Sequence, residues 1–330
     1  MQCKICKIDF GIINYNGGDS LIKCVKSIQN LQDTEFRIFV YDNNSKDNSL
    51  AGLDSSVNLE KGTENLGYAG ACNALLKKMD SPMQVLCNMD LEFDKNWGKE
   101  ILTAFENNAD CASVASLVME KSGVVNSTGI LFHPDMYAEN ENSGKNLDDV
   151  KPLKTKQVFG CYGAVMVFKK EVANKVGFLE ESFFLFFEET EWYLRHNLLG
   201  FHSVFCPSAI VWHERSKTTI RYSPLKLFYG ERNRIRTAMH YLPFGYLLKL
   251  PYFSFKRYLK LQREMKKDNL PGDAATKKYS KFYLVLILLK AWLCGIFGKK
   301  LKFKLTGKYK KQALDIIKNY YITSYDNVLR

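Results

Sequence analysis

A chain of 330 residues, 46% hydrophobic and 25% charged, has apolar material enough for a sizeable core, which excludes a disordered or low-complexity protein. Its net charge of +12 is unevenly spread: residues 1–214 carry 20 Lys and Arg against 29 Asp and Glu (net −9), and residues 215–330 carry 27 against 6 (net +21). The basic C-terminal part, and not the acidic body, is therefore the part expected to meet polyanions such as nucleic acid or anionic lipid.

In chain order, the N-terminal "MQCKICKIDFGIINYN" has charges inside its apolar run and no small-residue cleavage site, so a secretory signal is not expected. Cys3 and Cys6 form a C-x-x-C without a second pair to complete a zinc site; the nine cysteines read as reduced thiols of a cytosolic protein. "ICKIDFGIINY" reads as a strand with a polar break, "SLIKCVKSIQNL" as a helix, "FRIFVYD" as a strand and "GYAGACNALLKKM" as a helix. "MQVLCNMD" is a strand ending in a carboxylate, followed by the helix "KNWGKEILTAFENN" and the strand "CASVASLVM". Alternating strands and helices of this length predict a largely parallel sheet flanked by helices, an α/β fold.

Residues 134–157 are polar and read as a mobile excursion within the domain. "VFGCYGAVMVFKKEVANKVGF" returns to a strand and a helix, and "FHSVFCPSAIVWHE" reads as a last strand pair. A first domain over 1–215 and a basic, aromatic helical extension over 216–330 follow from the change in texture. Within the extension, "FYLVLILLKAWLCGIFG" (282–298) is the most apolar stretch. It includes Lys290 and falls short of the roughly 20 residues a spanning helix needs. Lys277, Lys278, Lys281, Lys299, Lys300, Lys302 and Lys304 flank it, which suits a helix lying in the interface of an anionic membrane better than a core helix.

In an open α/β sheet the ligand site lies beyond the carboxyl ends of the strands. Three polar clusters fall there: "NYNGG" with Asn14 and Tyr15, "DNNSKDNS" with Asp42, and "NMDLEF" with Asn88 and Asp90. Asp90 is placed to hold a divalent cation that in turn binds a diphosphate, although aspartate at a strand end also caps turns. Asp42 is placed to accept hydrogen bonds from a nucleobase or ribose, with the same turn chemistry as alternative. In "ENLGYAGACNALL", Asn65, Gly67 and Gly70 stand where a helix start lets backbone approach a phosphate or sugar, or where helices pack closely. In "FFLFFEETEWYLR", Glu188, Glu189 and Glu191 come as a block beside Phe183, Phe184, Phe186, Phe187 and Trp192. Carboxylates against an apolar wall gain basicity, as a general base requires, while an acidic helix start is the simpler reading. Arg232, Arg234 and Arg236 of "YGERNRIR" form either a diphosphate clamp or a solvated helix face.

Taken in order and spacing, "IINYNGG", "VYDNNSKDNS", "ENLGYAGACNALL", "LCNMDLEF", "CYGAVMVFKKEVANKVGFLEESFFLFFEETEWYLR" and "CPSAIVWHE" resemble the inverting family-two glycosyltransferases, most of all the rhamnosyltransferase-like branch, over roughly residues 5–240. The resemblance implies a GT-A fold, one Rossmann-like sheet domain that binds a nucleotide sugar (UDP- or dTDP-linked) and a divalent metal, Mg²⁺ or Mn²⁺. It assigns Asp42 to the nucleotide base, Asn88-Met89-Asp90 to the D-x-D-type motif with Asp90 on metal and diphosphate, and His213 to the same centre. "EETE" takes the place of the family's E-D-x-D, with Glu189 as catalytic base. The family's base is aspartate, one methylene shorter, so Glu188 and Glu191 stay candidates to share the role. The implied activity is transfer of a sugar to a glycan or lipid-linked acceptor in surface polysaccharide or lipopolysaccharide assembly, on the inner face of the cell membrane. Two rivals are a polyanion-binding protein using the basic tail, which lacks a recognisable nucleic-acid module, and a nicotinamide oxidoreductase, whose G-x-G-x-x-G is missing after the first strand.

Overall fold

Every residue of β1 (Ile8–Asn14) is buried, as a strand in the middle of a parallel sheet must be, and its alternate residues face opposite layers. Ile8, Phe10 and Ile12 join a core cluster with Leu21, Cys24, Val25 and Ile28 of α1 (Asp19–Gln29), whose i, i+3, i+4, i+7 spacing makes one apolar face. Trp97, Ile101, Ala104 and Phe105 of α3 (Trp97–Asn107) belong to the same cluster. On the other side, Gly11 leaves room for Leu75 of α2 (Gly67–Leu76) and for Met79, so helices cover the sheet on both faces. The computed structural model describes residues 8–214, 223–267, 281–304 and 307–322; Cys3, Cys6, Lys277 and Lys278 lie outside the described residues.

The sheet is built from β2 (Phe36–Asp42), β3 (Asn58–Lys61), β4 (Met83–Asn88), β5 (Leu91–Phe93), β6 (Ser113–Met119), β7 (Val125–Ser127), β10 (Lys156–Val158), β11 (Val165–Lys169) and β12 (Ser203–His213) around β1, in the order β10-β12-β6-β11-β4-β1-β2-β3, with β5 on β12 and β7 on β6. β8 (Ile130–Phe132) and β9 (Ala138–Asn140) are short strands outside it. The pairs β3/β2, β2/β1, β1/β4 and β6/β12 are parallel, as the alternation of elements predicts, and β11 runs antiparallel between β4 and β6. The segment read as a strand pair is one long strand, β12, whose register against β6 shifts between Cys206 and Ile210, around Pro207, where the ladder loses a donor. Nor is 134–157 a uniformly exposed excursion, because Asp135 and Met136 are buried.

The chain divides into two compact units. The first comprises the described residues of Met1–Ile130, Glu139–Phe184 and Glu188–Arg215; besides the sheet it holds α4 (Leu147–Val150), α5 (Lys170–Val176) and α6 (Glu188–Leu198). The second comprises those of Leu131–Ala138, Leu185–Phe187 and Ser216–Arg330, with α7 (Pro224–Tyr241), α8 (Phe244–Leu247), α9 (Leu250–Lys267), α10 (Lys281–Phe297) and α11 (Gly307–Asn319).

A fully enclosed ionic network organises the second unit. Arg257 bonds Asp135 (2.8 Å) and Glu231 (2.7 Å), and Arg234 bonds Glu231 (2.6 Å) and the Asp135 backbone carbonyl. Burial opposes ionisation of Asp135, but the two guanidinium groups outweigh it and hold the carboxyl well below its usual range. Arg236 donates to the Lys299 carbonyl. Arg234 and Arg236 are thus buried structural groups, neither a diphosphate clamp nor a solvated face. α10 packs on α7 through Ala291, which is buried, and Gly295, where a side chain would collide with Ile235. Its other face is open: Phe282 is 72% exposed, Leu289 and Leu293 57% each, and Phe297 81%. Among the described residues no helix is long and apolar enough to cross a membrane.

Candidate active site

The parallel register sets Asn14 of β1 opposite Asp42 of β2, and Ile13 opposite Asn88 of β4, so the polar clusters predicted at these strand ends share one edge of the sheet. Asn14 donates to Asp42 Oδ1 (2.7 Å), Ser45 Oγ (3.1 Å) and Ser49 Oγ (2.9 Å). Ser45 Oγ gives Asp42 Oδ1 a second bond of 2.6 Å. Asp42 is buried and fixed by this network, while Tyr15 next to it is 43% exposed. Asn43 closes the neighbouring loop by accepting from Leu66 N (2.7 Å) and donating to the Gly67 carbonyl (3.2 Å). Asn65 accepts from Gly67 N at 2.8 Å.

Gly67 and Gly70 are glycines for different reasons. Gly67 sits at φ +71°, and a Cβ there would overlap the Phe184 carbonyl, which accepts from Tyr68 N at 2.7 Å. Only glycine meets both conditions. Gly70 lies against Leu66 and serves close packing at the start of α2.

Asp90 follows β4 and is buried, as is His213 at the end of β12; His213 Nε2 lies 3.5 Å from Asp90 Oδ1. The other ring nitrogen, Nδ1, is 3.0 Å from Asn126 Oδ1, whose amide nitrogen points to Glu120. In the neutral ring with Asn126 accepting, Nδ1 carries the hydrogen and Nε2 presents a lone pair toward a carboxylate oxygen that has no hydrogen-bond partner. Two facing acceptors are what a cation reconciles, so the residues present fit a divalent metal. Among the described residues no cluster of three or more carboxylate, imidazole or thiol groups forms a complete cage. That suits Mg²⁺ or Mn²⁺ held by one or two protein groups together with substrate phosphates. Asn126 is a residue that sequence reasoning missed; "VVNSTG" offers no spacing to single it out.

The three glutamates open α6, where the helix dipole favours them. They do not share an environment. Glu191 is buried and gripped through both oxygens by Arg195 (2.9 to 3.1 Å), which also donates to the Val176 carbonyl at 2.6 Å and the Phe178 carbonyl at 2.9 Å. Glu188 is buried with Oε2 unpartnered, and Glu189 is part-exposed. Burial, and for Glu188 also the neighbouring Glu189, raises both carboxyls, Glu188 well above its ordinary range. The shift favours the protonated form of Glu188 and raises the basicity of Glu189.

Three consecutive residues tie these groups together. The Tyr162 ring lies 5.9 Å from that of His213. Gly163 leaves room for Glu189, since a Cβ would stand 2.9 Å from its Cδ, and its carbonyl accepts from Tyr68 Oη at 2.5 Å. Ala164 O accepts from Asn88 N at 2.9 Å. The stretch "CYGAV" is visible in the sequence, but nothing local there shows that its glycine faces a carboxylate. A separate cleft of 610 Å³, lined by Met83, Leu102, Lys169 and Lys170, opens at the start of β4, the opposite end from Asn88.

The turn entering α6 is strained: Phe184, Phe186 and Phe187 have φ of 65°, 66° and 77°. Such conformations cost on the order of 1–3 kcal/mol each for residues with a side chain and persist where surrounding structure over-determines them, often at functional sites.

Residues 9–177 match the family described as glycosyl transferase family 2. No curated protein matches the sequence. Among solved structures, the chain resembles GalNAc-T7 with UDP, GalNAc and Mn²⁺ (TM-score 0.57, 13% identity, 72% of this chain and 49% of that one). It also resembles the mannosyltransferase PcManGT from Pyrobaculum calidifontis in complex with GDP-Man and Mn²⁺ (0.55, 13%, 88% and 87%). A third likeness is to S. aureus TarS (0.51, 12%, 98% and 50%). The chain thus spans about half the length of GalNAc-T7 and of TarS, and at these identities the likeness is one of fold.

Proposed function

Because this chain belongs to the family 2 glycosyl transferases, we propose that it moves a sugar from a nucleotide donor to a hydroxyl of a glycan or lipid-linked acceptor, with inversion at the anomeric carbon. The fold is GT-A, a mostly parallel sheet between helices. The observation that carries the reading is the run Tyr162, Gly163, Ala164, which brings the Asp90/His213 pair, Glu189 and the end of β4 to one edge of the sheet. Asn14, Tyr15 and Asp42, with the loop at Asn65 and Gly67, receive the nucleoside, and Asn88 and Asp90 face its diphosphate.

Glu189 takes the proton of the acceptor hydroxyl as it attacks the anomeric carbon opposite the leaving nucleotide; one positioned carboxylate suffices for a single displacement. Burial favours the protonated form of Glu188, which limits a second negative charge beside it. Glu191 fixes α6 through Arg195 and takes no part in proton transfer. Asp90 and His213 would hold Mg²⁺ or Mn²⁺, which supplies charge neutralisation of the departing diphosphate. The donor class is UDP- or dTDP-linked, with a hexosyl or rhamnosyl group, and the pathway is surface polysaccharide or lipopolysaccharide assembly.

The second unit supports action at the inner, cytoplasmic face of a membrane: α10 exposes Phe282, Leu286, Leu289, Leu293 and Phe297, and Lys299, Lys300, Lys302 and Lys304 beside it are exposed. Lys290, the charge inside the apolar stretch, lies over the Phe228 ring at 5.6 Å.

Glu189→Gln tests the base. Release of nucleoside diphosphate from a panel of nucleotide sugars with Mn²⁺ should fall roughly a hundredfold or more with donor binding retained. An active Glu189→Gln beside an inactive Glu191→Gln would move the base to Glu191.

A further inference from the structure

The backbone that delivers Glu188 and Glu189 belongs in part to the second unit. Leu185–Phe187 is assigned there, although Phe184 before it and Glu188 after it belong to the first. This segment has neither helix nor strand bonds to hold it, and two of its three residues have left-handed backbone with an aromatic side chain. Two of its three carbonyls are nevertheless received by one side chain. Asn233, completely buried on α7, donates from Nδ2 to Leu185 O (3.0 Å) and to Phe186 O (2.7 Å). The orientation of its amide is fixed from the other side, since Oδ1 accepts from Arg232 Nε at 2.9 Å. Arg232 in turn lies over the Tyr229 ring at 4.7 Å. The preceding carbonyl, that of Phe184, is taken by Tyr68 N within the first unit. The three consecutive carbonyls of Phe184, Leu185 and Phe186 are therefore received by donors distant in the chain, Tyr68 for the first and Asn233 for the other two.

We infer that Asn233 is a positioning residue for glycosyl transfer, acting through the backbone of Leu185 and Phe186 to hold the strained aromatic turn that sets Glu189 in place. A carboxamide suits this position because two N–H groups on one nitrogen reach two adjacent carbonyls, while its oxygen takes the Arg232 donor. Leucine or alanine would leave two carbonyls unpaired, and aspartate would set a third acceptor against them. The helical extension thereby has a catalytic consequence beyond attachment: without this donor the left-handed residues are free to relax and carry Glu188 and Glu189 with them. The inference rests on Glu189 being the base.

The test compares wild type, Asn233→Asp, Asn233→Ser and Glu189→Gln as full-length proteins. Turnover is read as nucleoside diphosphate release in the presence of Mn²⁺, using the nucleotide sugar that raises the wild-type melting temperature most. Asn233→Asp is expected to lower kcat roughly a hundredfold, the scale of an ångström-sized misplacement, with KM for the nucleotide sugar within about threefold, since the donor loops are untouched. Asn233→Ser, which restores one donor, should recover part of kcat. If the aspartate variant does not fold, the serine variant carries the test alone, with kcat reduced and KM unchanged at a wild-type melting temperature. Wild-type kcat in both Asn233 variants beside an inactive Glu189→Gln would overturn the positioning role and leave the base reading intact. So would a loss confined to KM. An active Glu189→Gln would overturn the base reading and the positioning role with it.

Discussion

Gly67→Ala is the substitution whose cost can be worked most fully from the structure. Gly67 is at φ +71° and its added Cβ would overlap the Phe184 carbonyl, so the turn and the start of α2 cannot both keep their places. The left-handed backbone alone costs roughly 1–2 kcal/mol for alanine. Displacing the Phe184 carbonyl breaks its 2.7 Å bond from Tyr68 N, and leaving such groups unpaired adds about 1–3 kcal/mol. The expected loss is about 2–5 kcal/mol, read as the shift in urea midpoint at constant slope. Gly52→Ala is the matched control: φ is +78° there and nothing lies within 4 Å of the added Cβ, so only the backbone cost applies. A Gly67→Ala protein as stable as Gly52→Ala would refute the close approach of Phe184 to α2. Nucleotide binding should weaken as well, since Asn65 and Asn43 both bond at Gly67.

Three further outcomes are expected. Glu188→Gln should keep activity within a few-fold, because it copies the protonated form that burial favours. Burial raises the Glu188 pKa, so the folded state holds its proton where the unfolded chain has lost it; wild type should therefore lose stability relative to Glu188→Gln as pH rises above about 4.5. Equal pH dependence of the two melting curves would show that Glu188 is not held neutral. Asp90→Ala should abolish the rise in melting temperature that UDP with Mn²⁺ gives the wild type, with His213→Ala milder because water replaces one neutral ligand; full activity in excess chelator would remove the metal from the mechanism. Vesicle binding should depend on the open face of α10: replacing Leu289 and Leu293 with serine is expected to weaken sedimentation with anionic vesicles while the fold, which rests on Ala291 and Gly295, is kept. Unchanged sedimentation, or tighter binding to DNA than to vesicles at physiological salt, would point away from the membrane.

Much of this site is legible in the sequence because it is written in local chemistry. Asn14, Asp42, Asn88 and Asp90 close apolar runs, and the ends of parallel strands are where such runs deliver their polar residues. The block of glutamates is visible for the same reason, yet its division of labour is not: Glu191 meets Arg195 one helical turn on, Glu188 is enclosed, and Glu189 finds the space left by Gly163, 26 positions earlier in the chain. Asn126 and Asn233 are ordinary polar letters whose meaning comes from partners far away in sequence, His213 and the carbonyls of Leu185 and Phe186. The arginines of "YGERNRIR" mislead in the opposite direction, since a charge count cannot reveal that Asp135, nearly a hundred residues before Arg234, encloses it.

The most direct test of the central claim is the configuration at the anomeric carbon of the product. With Mn²⁺ and the nucleotide sugar that stabilises the protein most, proton NMR of the transferred sugar should show the configuration opposite to that of the donor, together with one nucleoside diphosphate released per sugar moved, and Glu189→Gln should suppress both. A product that keeps the donor's configuration would contradict a single displacement driven by Glu189.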